Sequence, residues 1–468
     1  MLSRHTLLYM LSRGIPGLVN LAALSLYTRH LTPDEYGLYA TIIAAVFLAN
    51  SVLFAWIRVG SIRFYAIYQG EQEKFLSTIG VVFLVLVLCT GAVGLALWLL
   101  PWLQVSPKGM WSLALLLLWS NAWHELNLEL CRARLSPGTY GVSTITKAIL
   151  ALGIGLILVH MGWGPKGLII GLIAATLMGW SVTGAAFWQR VRLRYFDRQL
   201  FLRLFKYSIP FAVTSGMAYI LFSLDRFLLS WLAGNAQTGV YSVAYDLAQQ
   251  SLILLMTAVN LAAYPIVVSK LESAGITAAR RQLAKNMEAL CLIGLPAAVA
   301  LAILAPNVVR VLLGSSFQQE GAQIVPRIAI AAFLLGLKSY YADVAFYLSQ
   351  KTVRQVWSPA ISILVSIPLN YWWIPRDGVV GAANTAIVVN GLALLLSWLI
   401  GRRVFALPIP KIPIMKIVGA AALMGVVLWP LADYQGMGAL FLQVIIGLVT
   451  YCIVIYLLNF NRYGGSPT

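Results

Sequence analysis

Fourteen stretches of about twenty mostly apolar residues follow one another along this chain, each long enough to cross a bilayer as a helix. They centre near Leu18, Ala45, Leu86, Leu117, Leu152, Ala174, Ala218, Ile253, Ala298, Leu334, Val365, Val389, Leu423 and Leu448. The residues left over, spread across loops and tails, average about a dozen per segment, too few for an extramembrane domain. Composition agrees. Of 468 residues, 60% are apolar and 10% charged, with a mean hydropathy of +0.84. A soluble domain is about 25% charged and 45–50% apolar. An ordinary cytosolic enzyme, a secreted disulfide scaffold and a disordered chain are excluded. The expected fold is an all-α polytopic membrane protein of about 14 transmembrane helices.

The charges test that count. Lys and Arg total 33 against 15 Asp and Glu, a formal net charge of +18. With the N-terminus inside, the cytoplasmic segments hold Arg4, Arg58, Arg63, Lys74, Arg132, Arg134, the run from Arg190 to Lys206, and the clusters at Lys270–Lys285, Lys351–Arg354 and Arg402–Lys416, ending with Arg462. The outer segments hold only Arg29, Lys108, Lys166, Arg310 and Arg376. Basic loops stay on the cytoplasmic side, and one missed helix would invert every later loop. The excess charge is therefore a topology signal, and no nucleic-acid partner is expected. The first apolar run carries Arg13 and ends at Thr28-Arg29 without a small-residue cleavage pattern, so it reads as a span and not a cleaved leader. The four cysteines lack Cys-x-x-Cys spacing and the four histidines are scattered. No metal site, cofactor or catalytic residue is expected.

The chain looks duplicated. Ile15-Pro16 opens the first span and Ile209-Pro210 the seventh. Each of those spans is followed by a short loop that closes on Gly-apolar-Tyr, at Gly37-Leu38-Tyr39 and Gly239-Val240-Tyr241. Gly164-Pro165-Lys166-Gly167 and Gly378-Val379-Val380-Gly381 start spans six and twelve. The order is kept between halves, the mark of parallel repeats in transporters. The expected organisation is an N-terminal six-helix lobe over 1–190, an amphipathic basic linker over 191–206, a second six-helix lobe over 207–405 and an added helix pair over 406–468. In the linker, Leu193, Phe196, Leu200, Phe201 and Leu204 alternate with arginines at near-helical spacing, which suits a helix lying on the cytoplasmic leaflet.

Several segments together resemble the bacterial polysaccharide transporters, the Wzx-type O-antigen flippases. Leu31-Thr32-Pro33-Asp34-Glu35-Tyr36-Gly37-Leu38-Tyr39 is similar to that family's first-loop motif. Ser223-Leu224-Asp225-Arg226-Phe227-Leu228-Leu229, Thr238-Gly239-Val240-Tyr241-Ser242, Leu304–Val309, Leu313–Phe317 and Gly378–Ala383 resemble later parts of its pattern. The likeness runs from about residue 5 to 405. It implies a two-lobed fold shared with multidrug (MATE) exporters and lipid II flippases, in the superfamily called MOP. It implies a multi-pass protein of the bacterial cytoplasmic membrane with both termini inside. It further implies transfer of undecaprenyl-pyrophosphate-linked oligosaccharide between leaflets, by alternating access, for export of a surface or extracellular polysaccharide. Membrane lipids, the lipid-linked oligosaccharide and a polysaccharide polymerase are the partners that follow from it.

A pyrophosphate crossing the bilayer needs cations facing a wet cleft. Each costs about 2.5–3.5 kcal/mol at a helix centre on insertion scales, so each ionisable residue within a span is a site hypothesis. The candidate substrate-binding residues are Arg13, Arg58, Lys147, Asp225, Arg226, Lys338, Tyr341 and Asp343. Arg13 and Arg58 could receive pyrophosphate near the cytoplasmic face, where the guanidinium fork matches phosphate oxygens; snorkelling to headgroups is the plainer role. Lys147 and Lys338 lie deeper. Lys338 and Asp343 are five apart, a spacing that does not favour a pair on one helix face. Tyr341 could stack on a sugar ring. Asp225 could bind glycan hydroxyls or a coupling cation, or neutralise Arg226, and Asp246 is a further partner for that arginine. Glu125 and Glu129 suit a local salt bridge with Arg132, and Arg327 suits a headgroup anchor.

Two other functions compete. A cation-coupled MATE-type drug or metabolite exporter would want few cleft cations and a buried acid. A membrane glycosyltransferase or polysaccharide polymerase would need a long outer catalytic loop, and the outer loops here are short. The basic excess within the spans argues for an anionic cargo.

Overall fold

The computed structural model describes residues 2–99, 108–183, 188–189 and 191–460. Arg190, Arg462 and most of the outer loop after Leu100 fall outside the described residues, as do the side chains of Arg4 and Arg13. All regular structure among the described residues is helical. In chain order the helices are α1 Leu2–His30, α2 Pro33–Leu53, α3 Ala55–Tyr65, α4 Gln72–Leu99, α5 Lys108–Ala133, α6 Pro137–Leu158, α7 Gly164–Thr183 and α8 Arg198–Ala233. They continue as α9 Asn235–Ile303, α10 Ala305–Leu312, α11 Gln318–Leu337, α12 Val344–Leu348, α13 Trp357–Gly401, α14 Lys411–Leu428 and α15 Met437–Phe460.

Nine segments among the described residues are long and apolar enough to cross a membrane. Three of them contain a glycine at positive φ where the chain departs from helix: Gly162, Gly275 and Gly378. Gly164 (φ 52°, ψ −135°) and Gly378 (φ 53°, ψ −127°) adopt nearly the same backbone conformation, one that side chains with a Cβ rarely reach. These are the two glycines that the sequence repeat aligns. Pro16 and Pro210 sit inside α1 and α8 and do not open them, because both helices begin a dozen or so residues earlier. Proline is tolerated inside spanning helices, where neighbours satisfy the freed carbonyl.

The chain divides into two compact units. The first comprises Met1–Ala23 and Leu38–Ser223, the second Leu24–Gly37 and Leu224–Thr468. The first is centred on Phe54, Trp56, Phe75, Ile79, Leu126 and Leu130, all buried. Residues 191–206 do not form one helix within it. Leu193–Tyr195 is a 3-10 turn, and Asp197 then starts α8, its Oδ1 accepting the Gln199 and Leu200 N–H groups at 2.7 and 3.1 Å, a helix N-cap. Leu200 and Leu204 are buried in this core and face no lipid. The basic linker is thus a docked turn plus the first turns of a spanning helix.

In the second unit the glycines of the two Gly-apolar-Tyr motifs meet. A Cβ added at Gly37 would overlap the Asn235 carbonyl, and one added at Gly239 would overlap the Pro33 carbonyl. Each glycine lets the other repeat's helix start press against its own backbone. The first-loop motif also carries a capping box. The Thr32 N–H donates to Glu35 Oε2 at 2.9 Å, and the Glu35 N–H to Thr32 Oγ1 at 3.3 Å, with Pro33 at the first helical position. Gly314 donates its N–H to Thr28 Oγ1 at 3.1 Å, and a Cβ there would overlap the Thr28 carbonyl, which accounts for the glycine of the Leu313–Phe317 segment.

Candidate functional site

The intramembrane charges gather into three groups, each inside one unit. The first lies on α2, α3, α5 and α6 of the first unit. Lys147 donates to Asn121 Oδ1 at 2.8 Å, and Asn121 Nδ2 to Glu125 Oε1 at 3.2 Å. Glu125 Oε2 accepts Asn50 Nδ2 at 2.8 Å and pairs with Arg58. Sequence spacing assigned Glu125 to Arg132, but only Glu129 pairs with it, at 3.0 Å. Helix periodicity explains the choice: Arg132 is three residues from Glu129 and seven from Glu125. Glu125 thus pairs with Arg58 and reaches Lys147 only through the Asn121 amide. Arg13 lies in α1, its side chain outside the described residues.

His124, beside this chain, was passed over in the sequence. It is fully buried, and neither ring nitrogen has a hydrogen-bond partner among the described residues. A Cβ at Gly179 would crowd its Cε1 atom. An apolar helix face with one histidine gives no signal of that kind.

The second group joins α8, α9 and α13. Asp225 and Arg226 are both buried and go separate ways, as adjacent helix positions about 100° apart must. Asp225 accepts Tyr241 Oη at 3.0 Å and Asn370 Nδ2 at 2.8 Å; Arg226 pairs with Asp246 at 2.6 Å and lies over the Tyr245 ring. Asn370 also donates to Ser366 Oγ at 3.0 Å. Two carboxylates here face one cation. The Asp225–Asn370 bond spans 145 positions, beyond the reach of local patterning.

The third group overturns a spacing argument. Lys338 and Asp343 pair at 2.7 Å, both buried. Lys338–Ala342 is a π-helical turn, with Asp343 N–H donating to the Lys338 carbonyl at 2.9 Å. The wider turn places residues five apart one above the other, where a regular α-helix would splay them. Tyr341 is 2% exposed and donates to the Pro408 carbonyl at 2.6 Å, so it presents no open ring face here. Tyr340 meets the Thr257 hydroxyl at 2.6 Å. Arg327 donates to Asn384 Oδ1 at 3.1 Å and to the Gln323 carbonyl, so it is held within the protein.

With the geometry in place, comparison with known proteins decides the family. The family described as polysaccharide biosynthesis protein matches residues 26–320. The chain belongs to that family. A Shigella flexneri protein named as an O-antigen transporter is 24% identical over 416 residues, covering 83% of this chain and 95% of that one. The structure of the lipid II flippase MurJ in an inward closed conformation superposes with a TM-score of 0.79 at 16% identity, covering 98% of this chain and 100% of that one. A MATE transporter in its straight conformation reaches 0.62 at 14% identity, covering 89% and 96%. The fold is the one these transporter structures share, and the protein is a multi-pass membrane protein with relatives named as transporters and flippases.

Proposed function

We propose that this protein is a flippase. It carries an undecaprenyl-pyrophosphate-linked oligosaccharide from the cytoplasmic to the outer leaflet of the bacterial cytoplasmic membrane by alternating access, for polysaccharide export. The observation that carries the reading is the first polar group, in which Glu125 pairs with Arg58 while Lys147 is met by the Asn121 amide. An uncompensated cation there is costly unless water or an anionic cargo meets it. Pyrophosphate is such a cargo, and the family and the named O-antigen transporter support it. In this reading Arg13, Arg58 and Lys147 receive the pyrophosphate. Asp225, with the carboxylate excess of its group, takes a coupling cation or glycan hydroxyls. Arg226, Lys338, Tyr341 and Asp343 shape the second unit around the cargo's path. Fourteen spans with both termini inside, and a polysaccharide polymerase as neighbour, belong to the same proposal.

The test is leaflet protection of a fluorescent undecaprenyl-pyrophosphate oligosaccharide in proteoliposomes. Lumenal glycan should become accessible to an external glycosidase only when the protein is present. Retention of several such lipids, with expulsion of cationic dyes under an ion gradient, would replace the proposal with the exporter reading.

A further inference from the structure

Glu125 is the one acid of the first polar group that lies between its cations, and it is held at both oxygens. Oε2 pairs with Arg58 on α3 and accepts Asn50 Nδ2 of α2 at 2.8 Å. Oε1 accepts Asn121 Nδ2 at 3.2 Å. Asn121 and Glu125 are one turn apart on α5 and share a face. The other end of that amide, Asn121 Oδ1, accepts the Lys147 ammonium of α6 at 2.8 Å. A line of contacts from Arg58 through Glu125 and Asn121 to Lys147 thus crosses three helices, with a cation at either end. The next acid on α5, Glu129, is engaged by Arg132 at 3.0 Å and stays out of this line.

The Arg58–Glu125 pair is also the open one. Its side chains are 21% and 25% exposed, whereas those of Lys338 and Asp343 are 11% and 5% exposed. A sealed pair cannot part without stranding a buried charge. A partly open pair can exchange one partner for an incoming ion.

The charge count gives that exchange a use. A pyrophosphate diester is a dianion. Arg58 and Lys147 alone would hold two positive charges when empty and be neutral when loaded, so the cargo would be slow to leave. With Glu125 the same side chains hold one positive charge when empty and one negative charge when loaded. Each state is then a single charge from neutral. A site that passes an ion on must bind it well enough to admit it and weakly enough to release it.

We propose that Glu125 is the releasing residue of this site. It rests on Arg58 when the site is empty, yields that arginine to the cargo's phosphates, and reclaims it as the cargo leaves. Asn50 and Asn121 are positioning residues that keep the displaced carboxylate within reach of Arg58. The assignment rests on the flippase reading and adds to it a competitor for the cargo, built into the protein.

Binding of the fluorescent undecaprenyl-pyrophosphate oligosaccharide to the purified full chain in detergent, set beside its transfer in proteoliposomes, tests this. Glu125→Gln removes the competing charge at nearly constant shape. It should tighten binding about tenfold, the worth of one charge-assisted contact, and slow multiple-turnover transfer by a similar factor. Glu125→Asp keeps the charge but shortens its reach, and should tighten binding by a smaller factor. It carries the test if the glutamine variant, with Arg58 unpaired, does not fold. Arg58→Gln should weaken binding instead. A merely structural Glu125 would give weaker binding and slower transfer together. Binding no tighter than wild type in the folded variants overturns the assignment and leaves the flippase reading in place, as does tighter binding with undiminished transfer. Absence of binding by the wild-type protein removes both.

Discussion

Lys338 and Asp343 show what one inserted residue does to a charge pair. On a regular helix they would point apart; the π-turn brings them to 2.7 Å and buries both. Removing one partner of a buried pair costs about 3–5 kcal/mol, because the other charge is stranded, whereas replacing both by apolar groups is often neutral. Lys338→Ala should therefore lower the melting temperature in detergent, and Lys338→Met with Asp343→Leu should restore most of it. A double variant as unstable as the single would show that Asp343 does not depend on Lys338. Lys147 is expected to behave differently, since its partner is an amide. Lys147→Met should keep membrane expression while slowing lipid transfer about tenfold or more, the loss of one charge-assisted hydrogen bond to phosphate. Normal transfer in that variant would remove Lys147 from the site. The residues of these groups stand out in the sequence because charge is rare inside spans. Their partners do not. Asp225 with Asn370 needs the tertiary fold, Lys338 with Asp343 needs a helix irregularity, and His124 has no local pattern at all.

At the scale of an element, the start of α8 depends on one side chain. Asp197 caps the helix and binds Lys74, and the ammonium hydrogen bond, followed by the Leu200 N–H, holds its carboxyl below the usual carboxylate range of about 3.9. A depressed carboxylate contributes stability that is fully present above its unfolded pKa and lost as pH falls through its folded one. Amide protection at 191–200, taken relative to the intrinsic exchange rate at each pH, should be high at neutral pH and fall only below about pH 4. Asp197→Ala should lower that protection at neutral pH, a loss of about 1 kcal/mol for a cap, and make little difference once the carboxyl is protonated. An exchange rate independent of both changes would exclude the cap. Gly37 and Gly239 are a second element-scale case. A methyl at either must push two backbones apart, so each Ala variant should be destabilised by about 1–3 kcal/mol. The sequence marks these glycines through repetition, yet says nothing of their meeting.

For the whole molecule, the succession of long apolar stretches was the most legible feature, because nothing but membrane-spanning helices accommodates it. The helical class, the membrane setting and the transporter relatives follow from it and from the motifs. Orientation is directly measurable. In a variant lacking the native cysteines, Lys351→Cys should react with an impermeant thiol reagent only from the cytoplasmic side, and Lys166→Cys only from outside. The opposite pattern would invert the topology. The basic run after residue 190 was harder to place. It reads as one amphipathic helix by spacing, but the hydroxyls of Ser77 and Thr78 and the cap at Asp197 hold it as a docked turn.

The reciprocal contact at Gly37 and Gly239 maps onto itself when the two sequence repeats are exchanged, since each glycine faces a backbone carbonyl at the start of the other repeat's helix. That is the property of a self-complementary interface between identical subunits. Neither half of the contact can then be altered alone: a side chain at either glycine meets a carbonyl of the other repeat, so the two positions are constrained together.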